Sequence, residues 1–191
     1  ETGRGIRILR QDLWEMIITF LISQQNNITR IRGCVERLCQ HYGKHLKAED
    51  GTEYYAFPTP EQLSKASQEQ IRACQTGFRD KYIKSTTDSV ILNNKNISEY
   101  TKLNTEECLK ELLKFNGVGP KVGDCIALFG MQKYDTFPVD VWVKRVMQEF
   151  YVEEDLSLPK IRAYAIDKFK ELSGFAQQYL FYYARELGIG R

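Results

Sequence analysis

Apolar residues recur at intervals of three and four along most of this sequence, and no segment alternates apolar with polar side chains. The first spacing places apolar side chains on one face of an α-helix, whereas a half-buried strand requires alternation. The sequence therefore predicts an all-α fold, with a loop at 44–58. Helices are predicted at 13–22, 27–42, 60–66, 68–74, 79–92, 105–115, 121–129, 141–151, 159–172 and 175–187, with a break at 93–96.

Local signals set the ends of the first two helices. Asp12, followed three residues later by Glu15, has the spacing of a capping box and begins the first helix. Gly43 is a typical helix stop and ends the second helix. Four apolar residues at helical spacing are predicted to point inward from the second helix: Ile28, Ile31, Val35 and Leu38.

The composition excludes some classes of site and protein but does not identify a function. The 27 basic and 25 acidic residues give a net charge of +2, which neither requires nor excludes a polyanionic partner. With only His41 and His45 as histidines, a histidine-rich metal site is not expected. Five cysteines without a C-x-x-C spacing predict reduced thiols in an intracellular protein. The apolar stretch 16–22 is too short to cross a membrane, so we expect a soluble protein.

The segment 112–126 carries the clearest chemical signal, and its centre reads N-G-V-G-P-K at 116–121. Glycines before a new helix let the backbone approach a ligand closely, and the N–H groups of that helix start can bind phosphate. Lys121 falls in the first turn, where the helix dipole disfavours a cation and favours the free amine. It is a candidate nucleophile of the Schiff-base kind. Alternatively, the glycines only connect two helices and Lys121 is a solvated surface charge.

A second segment, at 135–145, contains an aspartate at a predicted helix start. Pro138 and its apolar neighbours place Asp140 at the helix cap and half-buried. Capping is a common use of aspartate, and by itself it accounts for the residue. The alternative is a carboxylate held near a positive charge that develops during a reaction.

Taken together, these segments resemble a known family. G-V-G-x-K-V-x-D-C-I at 117–126, followed by F-P-V-D-V-W-V-x-R-V at 137–146, is similar to the signature of the helix-hairpin-helix DNA glycosylases. Segments 23–31, 77–82 and 174–181 resemble the 8-oxoguanine DNA glycosylase/AP lyase branch, in the same order. The resemblance implies two packed helical lobes with the active-site cleft between them, a hairpin at about 112–121 and a Pro/Asp loop at about 135–141 within one helical region, 1–191.

The resemblance also implies a role for each matching residue. Lys121 would attack C1′ of the damaged nucleoside, and Asp140 would stabilise the oxocarbenium-like charge. The base pocket would consist of Cys125, Gln177 and Phe181, and the orphan-base and wedge contacts of Gln25, Asn26, Arg30, Phe78 and Arg79. Gly117, Gly119 and Trp142 would contact DNA phosphate, and the backbone carbonyls of Leu113, Phe115 and Val118 would hold a structural K⁺ or Na⁺.

The sequence also departs from the family pattern. Asn116 stands where many members have proline, and no cysteine follows Cys125, which excludes the iron–sulfur cluster of the endonuclease III-like relatives. Relatives in the 8-oxoguanine branch carry an N-terminal β-rich domain that ends just before the segment resembling residues 5–12. We therefore expect that domain to be absent here and this chain to be a fragment of a longer enzyme.

The resemblance predicts a bifunctional DNA repair glycosylase that excises 8-oxoguanine opposite cytosine and then cleaves the strand by β-elimination. Imine chemistry needs no catalytic cofactor. The expected partner is double-stranded DNA with a damaged base. We expect the protein to be a monomer without membrane association and to be located with the DNA inside the cell. Two alternatives stay open: a helix-hairpin-helix glycosylase for another damaged base, and a DNA-binding module or inactive fragment without catalysis.

Overall fold

The computed structural model describes residues 5–94 and 96–189, and most of this part of the chain is helical. The helices are α1 (Leu13–Ser23), α2 (Ile28–Tyr42), α3 (Pro60–Ser64), α4 (Gln68–Ile71), α5 (Asp80–Leu92), α6 (Thr105–Leu112), α7 (Pro120–Met131), α8 (Val141–Phe150), α9 (Leu158–Phe169) and α10 (Ser173–Leu187). Short 3₁₀ helices lie at Gly77–Arg79, Ile97–Lys102 and Lys170–Leu172. The all-α prediction is confirmed. Lys95, within the predicted break at 93–96, lies outside the described residues, as do 1–4 and 190–191.

The predicted loop at 44–58 contains a small antiparallel hairpin, so the prediction of no strand there was wrong. Strand β1 (His45–Lys47) pairs with β2 (Glu53–Tyr55), with Leu46 opposite Tyr54. Three-residue strands are too short to show an alternating pattern, and every residue of β2 is exposed. The hairpin lies very close to the end of α2 at Gly43. A Cβ there would lie 1.9 Å from the Ala56 carbonyl oxygen, so this position requires glycine.

Helix α2 begins and ends where its signals predict, but its inward face is shorter. The Asn27 side chain accepts a hydrogen bond from the Arg30 backbone N–H at 2.9 Å, which caps the helix. Leu38 is fully buried, whereas the side chain of Ile28 is 71% exposed, so its predicted inward orientation was wrong. Ile28 is the first helical residue and lies beyond the contact of α2 with the core.

The helix predicted at 105–115 ends earlier, at Leu112, because the chain turns there. The Phe115 N–H donates to the Leu112 carbonyl at 3.1 Å, and the Val118 N–H donates to the Phe115 carbonyl at 3.0 Å. These tight turns reverse the chain before α7 begins at Pro120. The hairpin predicted at 112–121 is therefore present.

The buried apolar side chains form two separate hydrophobic cores. In the first, α1 packs against α7, with Ile17, Ile18 and Leu21 fully buried. The second is built by α8, α9 and the residues just before α8, and includes Phe137 and Ile161. The two predicted helical lobes correspond to these cores.

Candidate functional site

The hairpin between α6 and α7 determines where Lys121 lies. Gly117 has φ +88°, in the left-handed region that favours glycine, and a Cβ there would lie 2.5 Å from the Tyr82 ring. Gly119 caps α7 without a side-chain hydrogen bond, and Pro120 occupies the first helical position. Lys121 follows, half-buried, in the first turn of α7.

A cleft of about 460 Å³ lies beside Lys121, between the two lobes. Its lining combines apolar side chains with three charged ones: Leu109, Leu113, Pro120, Lys121, Asp124, Val139, Leu158, Pro159 and Arg162. The walls come from α6 and α7 on one side and from α9 and the segment before α8 on the other. The predicted cleft between lobes is thus present, and the predicted nucleophile lies in its wall.

Cys125 lies one helical turn after Lys121 and is nearly fully buried. Burial raises the pKa of its thiol to about 11, while the charge of Lys121 and a side-chain hydrogen bond with it favour the thiolate and oppose this rise. The carboxylate of Asp140 acts in the same direction as burial. The charges of Lys121, Asp124 and Asp140 therefore all act on the Cys125 thiol.

Asp140 caps α8, as the sequence predicts. One carboxylate oxygen accepts a hydrogen bond from the Val143 backbone N–H at 2.9 Å. The residue is half-buried, and its charge contributes to the raised pKa of the Cys125 thiol in the second turn of α7. Capping holds the carboxylate in position, so the capping and catalytic interpretations are compatible.

The side chain of Asp124 is the main feature of the cleft that the sequence analysis missed. Arg162 on α9 donates from Nε and Nη2 to the two oxygens of Asp124, at 2.5 and 2.7 Å. Asp124 is 1% exposed, and burial raises the pKa of its carboxyl against the opposing effect of Arg162. The two residues are 38 positions apart, and no local pattern connects them.

The predicted base-pocket residues lie on α7 and α10, two helices that come into close contact at Gly174. A Cβ on Gly174 would lie 2.4 Å from the Leu128 side chain, so glycine lets the two helices meet. Cys125 lies one turn before Leu128, and Gln177 lies one turn after Gly174. Gln177 is 5% exposed, and its side-chain oxygen accepts a hydrogen bond from Gln178 at 2.6 Å.

Phe181 lies one turn after Gln177 on the same face of α10 and remains 39% exposed. Its ring packs edge-to-face on Trp142, with the ring centroids 4.8 Å apart. The cleft beside Lys121 is lined by neither of these aromatic residues nor by Cys125 or Gln177. Lys121 thus stands between two features: the interlobe cleft and the predicted base pocket.

The predicted orphan-base residues gather on a second surface, formed by the loop after α1 and the turn before α5. Arg79 is buried and donates to the carbonyls of Gln24, Gln25 and Thr76, the Gln25 contact being 2.9 Å. Burial and the neighbouring Arg30 guanidinium lower the pKa of Arg79. Its guanidinium holds the loop and is not a solvated surface group.

The exposed residues of this surface are Gln25, Arg30 and Phe78. Gln25 has φ +47°, an uncommon conformation for a residue other than glycine, which the Arg79 hydrogen bonds support. Asn26 donates from its side chain to the Ile22 carbonyl at 3.0 Å. Phe78 is 44% exposed, and the Arg79 guanidinium lies over its ring, with Cζ of Arg79 4.5 Å from the centroid of the Phe78 ring.

The turn between α6 and α7 also brings Leu113, Phe115 and Val118 within one short stretch of backbone. The Phe115 carbonyl accepts a hydrogen bond from the Val118 N–H at 3.0 Å. Backbone carbonyl oxygens suit hard cations, and a set without carboxylates suits one of low charge. The donor set fits K⁺ or Na⁺. Within residues 5–94 and 96–189, no cluster of histidine, cysteine and acidic side chains could hold a metal ion.

A lysine presented by a helical hairpin in the wall of a cleft between two helical lobes, with an aspartate that caps α8, is the arrangement of a DNA base-excision enzyme. Residues 18–172 match the family described as HhH-GPD superfamily base excision DNA repair protein, and the chain belongs to this family. The Clostridium acetobutylicum 8-oxoguanine glycosylase/lyase, solved with double-stranded DNA containing cytosine opposite 8-oxoG, is 50% identical, with a TM-score of 0.93. That alignment covers 98% of this chain and 64% of the other.

Two curated relatives belong to the same class of enzyme. The N-glycosylase/DNA lyase of Saccharomyces cerevisiae is 38% identical over 160 residues, covering 78% of this chain and 42% of the yeast protein. The N-glycosylase/DNA lyase OGG1 of Arabidopsis thaliana is 36% identical over 190 residues, covering 93% and 52%. The chain thus spans about half the length of these relatives. Across the described residues, no helix combines the length and apolar character needed to cross a membrane.

Proposed function

We propose that this chain carries the catalytic region of an 8-oxoguanine DNA glycosylase/lyase that acts on double-stranded DNA. The observation that carries the proposal is the position of Lys121, half-buried in the wall of the interlobe cleft and hydrogen-bonded to Cys125 one helical turn away. The names of the most similar proteins support the same activity and lesion. The same proposal places the enzyme with the DNA of the cell, as a monomer.

The proposed reaction uses the free amine of Lys121. Its nitrogen forms a bond to C1′ of the damaged nucleoside, and the glycosidic bond breaks with its electrons leaving on the base. The nitrogen then loses a proton, the sugar ring opens, and an imine remains between Lys121 and C1′. Loss of a proton from C2′ then expels the 3′ phosphate by β-elimination. Asp140, held by its cap to α8, stabilises the positive charge that develops on the sugar.

The second surface would occupy the space left by the extruded nucleotide. A base inside a duplex must leave the stack before its glycosidic bond can be attacked. Phe78 and Gln25 are exposed and suited to fill the gap, and the exposed Arg30 is suited to contact the orphaned cytosine. Arg79 would act mainly by fixing the loop that carries Gln25 and Asn26.

The extruded base would lie between Cys125 and Phe181, with Gln177 at its Watson–Crick edge. An aromatic face and a primary amide are suited to a purine. Trp142 supports the Phe181 ring at 4.8 Å and is the proposed contact of the neighbouring phosphate. The uncapped start of α7 after Gly117 and Gly119 would bind DNA phosphate, with K⁺ or Na⁺ at the Leu113, Phe115 and Val118 carbonyls.

Borohydride trapping tests the chemistry. One duplex carries 8-oxoguanine opposite cytosine, a second carries an abasic site, and the Lys121→Gln variant is tested beside the wild type. Lys102→Gln is the matched control, because Lys102 forms an exposed ion pair with Glu99 at 2.7 Å, away from the cleft. We expect an adduct on both duplexes with the wild type and the control, and none with Lys121→Gln.

The other outcomes separate the alternatives. An adduct on the abasic duplex alone would refute 8-oxoguanine excision by this chain and retain the lyase activity. DNA binding without an adduct on either duplex would indicate a binding module or an inactive fragment. Excision of 3-methyladenine in place of 8-oxoguanine would favour the activity named for the Archaeoglobus fulgidus structure, which is 25% identical with a TM-score of 0.78.

A further inference from the structure

The cleft beside Lys121 contains a carboxylate for which the proposed reaction has no use. Asp124 lies three residues after Lys121, on the same side of α7, and both side chains line the cleft. Side chains three positions apart on a helix are neighbours and readily form ion pairs when their charges are opposite. An ion pair between Asp124 and Lys121 is therefore the local expectation.

The structure shows a different pairing. Among the ion pairs of residues 5–94 and 96–189, Asp124 has Arg162 as its partner, and none includes Lys121. Arg162 reaches across the cleft from α9 and engages both carboxylate oxygens in the planar, two-bond geometry that guanidinium favours. Each oxygen of Asp124 thus accepts one hydrogen bond from Arg162, which orients the carboxylate toward α9.

We propose that Arg162 is a positioning residue for Lys121: by holding both oxygens of Asp124, it keeps that carboxylate from pairing with the nucleophilic amine. This inference rests on the proposed function, since it matters only if Lys121 reacts as a free amine. Arg162 donates its side-chain hydrogen bonds to Asp124 and not to Lys121. Its effect passes through Asp124.

The charged and titratable groups around Lys121 make the expected effect specific. On α7 they are Asp124 and Cys125, from the cap of α8 comes Asp140, and from α9 comes Arg162. Asp135, in the segment before α8, adds a negative charge that acts on Asp124 and Arg162. Burial favours the neutral form of the Asp124 carboxyl, so without the Arg162 cation it would stay ionised by pairing with protonated Lys121, one turn away. An opposite charge within about 4–6 Å favours the protonated form of an amine and raises its pKa by about one unit or more. The free amine would then be scarcer at neutral pH.

The test is single-turnover borohydride trapping on a saturating abasic duplex, measured from pH 6 to 10. In this step the lysine amine condenses with the C1′ aldehyde and releases water, and borohydride reduces the imine. Saturation removes any effect on DNA affinity, and the abasic site removes base recognition. We expect Arg162→Gln to trap about tenfold more slowly at pH 7, with its rising limb displaced about one unit to alkaline pH.

Asp124→Asn in the same chain as Arg162→Gln provides the decisive comparison. The double variant lacks both the cation and the carboxylate, so we expect its rate to return to within about threefold of wild type and its pH limb to return to the original position. If the ion pair only held the lobes together, the double variant would be as slow as the single one, and the proposal would be wrong. An unmoved pH limb in Arg162→Gln would overturn it equally.

Two further variants keep the test decisive if Arg162→Gln folds poorly. Arg162→Lys retains a cation but loses the two-bond grip, so we expect a smaller shift in the same direction. Adding Asp124→Asn should abolish that shift, and persistence of the shift would refute the role of Asp124. Wild-type trapping tests the proposed function separately: no wild-type adduct removes the proposed function, whereas a wild-type adduct with unmoved variants removes only this inference.

Discussion

Replacement of Gly117 by alanine should destabilise the hairpin that positions Lys121, through two additive effects. Gly117 has φ +88°, where a residue with a Cβ costs about 1–2 kcal/mol. The new Cβ would also lie 2.5 Å from Cγ and 2.8 Å from both Cδ atoms of the Tyr82 ring. Overpacking of this kind costs about 1–3 kcal/mol. Gly117→Ala should therefore lower the free energy of unfolding by about 2–5 kcal/mol.

Gly119→Ala is the matched control, two residues along the same hairpin. Gly119 has φ −94°, and a Cβ there would meet nothing within 4 Å. Its replacement should change the free energy of unfolding by less than about 0.5 kcal/mol. The same methyl group is added in both variants, so the difference between them isolates backbone conformation and the Tyr82 contact.

Urea unfolding followed by tryptophan fluorescence measures both variants, with thermal unfolding as a second measurement. For a chain of this length, each kcal/mol corresponds to about 2–4 °C in Tm, so Gly117→Ala should melt roughly 4–20 °C below Gly119→Ala. The borohydride adduct of Gly117→Ala should also form more slowly, because the start of α7 moves. Equal unfolding midpoints for the two variants would refute the argument.

Three further predictions concern stability. Leu38→Ala should cost about 2–5 kcal/mol and Ile28→Ala less than about 0.5, because Leu38 is fully buried and Ile28 is 71% exposed; equal urea midpoints would contradict this burial pattern. Arg79→Met should cost about 2–4 kcal/mol by leaving the Gln24, Gln25 and Thr76 carbonyls without their donor, whereas Arg32→Met, at an exposed ion pair, should be nearly neutral in the same assay. Burial raises the pKa of the Cys108 thiol to about 11 from 9.0, so the unfolded state releases this proton first and stability should fall by up to about 3 kcal/mol between pH 9 and 11. Cys108→Ala should make that part of the denaturation profile less steep without flattening it, because the pKa values of the Cys39 and Cys125 thiols are also raised to about 11. An unchanged slope would show that the Cys108 thiol does not titrate as described.

The hairpin that carries Lys121 could be predicted from the sequence because its signals are local. Helix caps such as Asp12, the glycines of the hairpin and Pro120 act on their immediate neighbours, so their spacing indicates where helices begin and end. The roles of Lys121 and Asp140 were assigned by resemblance, on two short motifs, and the structure brings both residues to Cys125. The family to which the chain belongs is the one the motifs indicated.

The errors of the sequence analysis arise where distant contacts decide the outcome. The strands of the hairpin at 45–55 are too short for a periodic signal. Ile28 has the spacing of an inward residue, yet no other element lies near enough to cover it. From the sequence alone, Arg30 and Arg79 could both have been solvated charges on helices. Only the fold shows that Arg79 is buried while Arg30 is exposed.

The sequence by itself determined the all-α fold and the hairpin, since helical periodicity and turn residues act over a few positions, and it supplied the motifs whose resemblance to a family indicates the residues of the proposed chemistry. Only the tertiary structure decided which charges face one another. On α7 alone, Asp124 would be expected to pair with Lys121 three residues before it. The structure pairs it instead with Arg162, 38 residues away, because the packing of α9 against the cleft brings a guanidinium to both carboxylate oxygens.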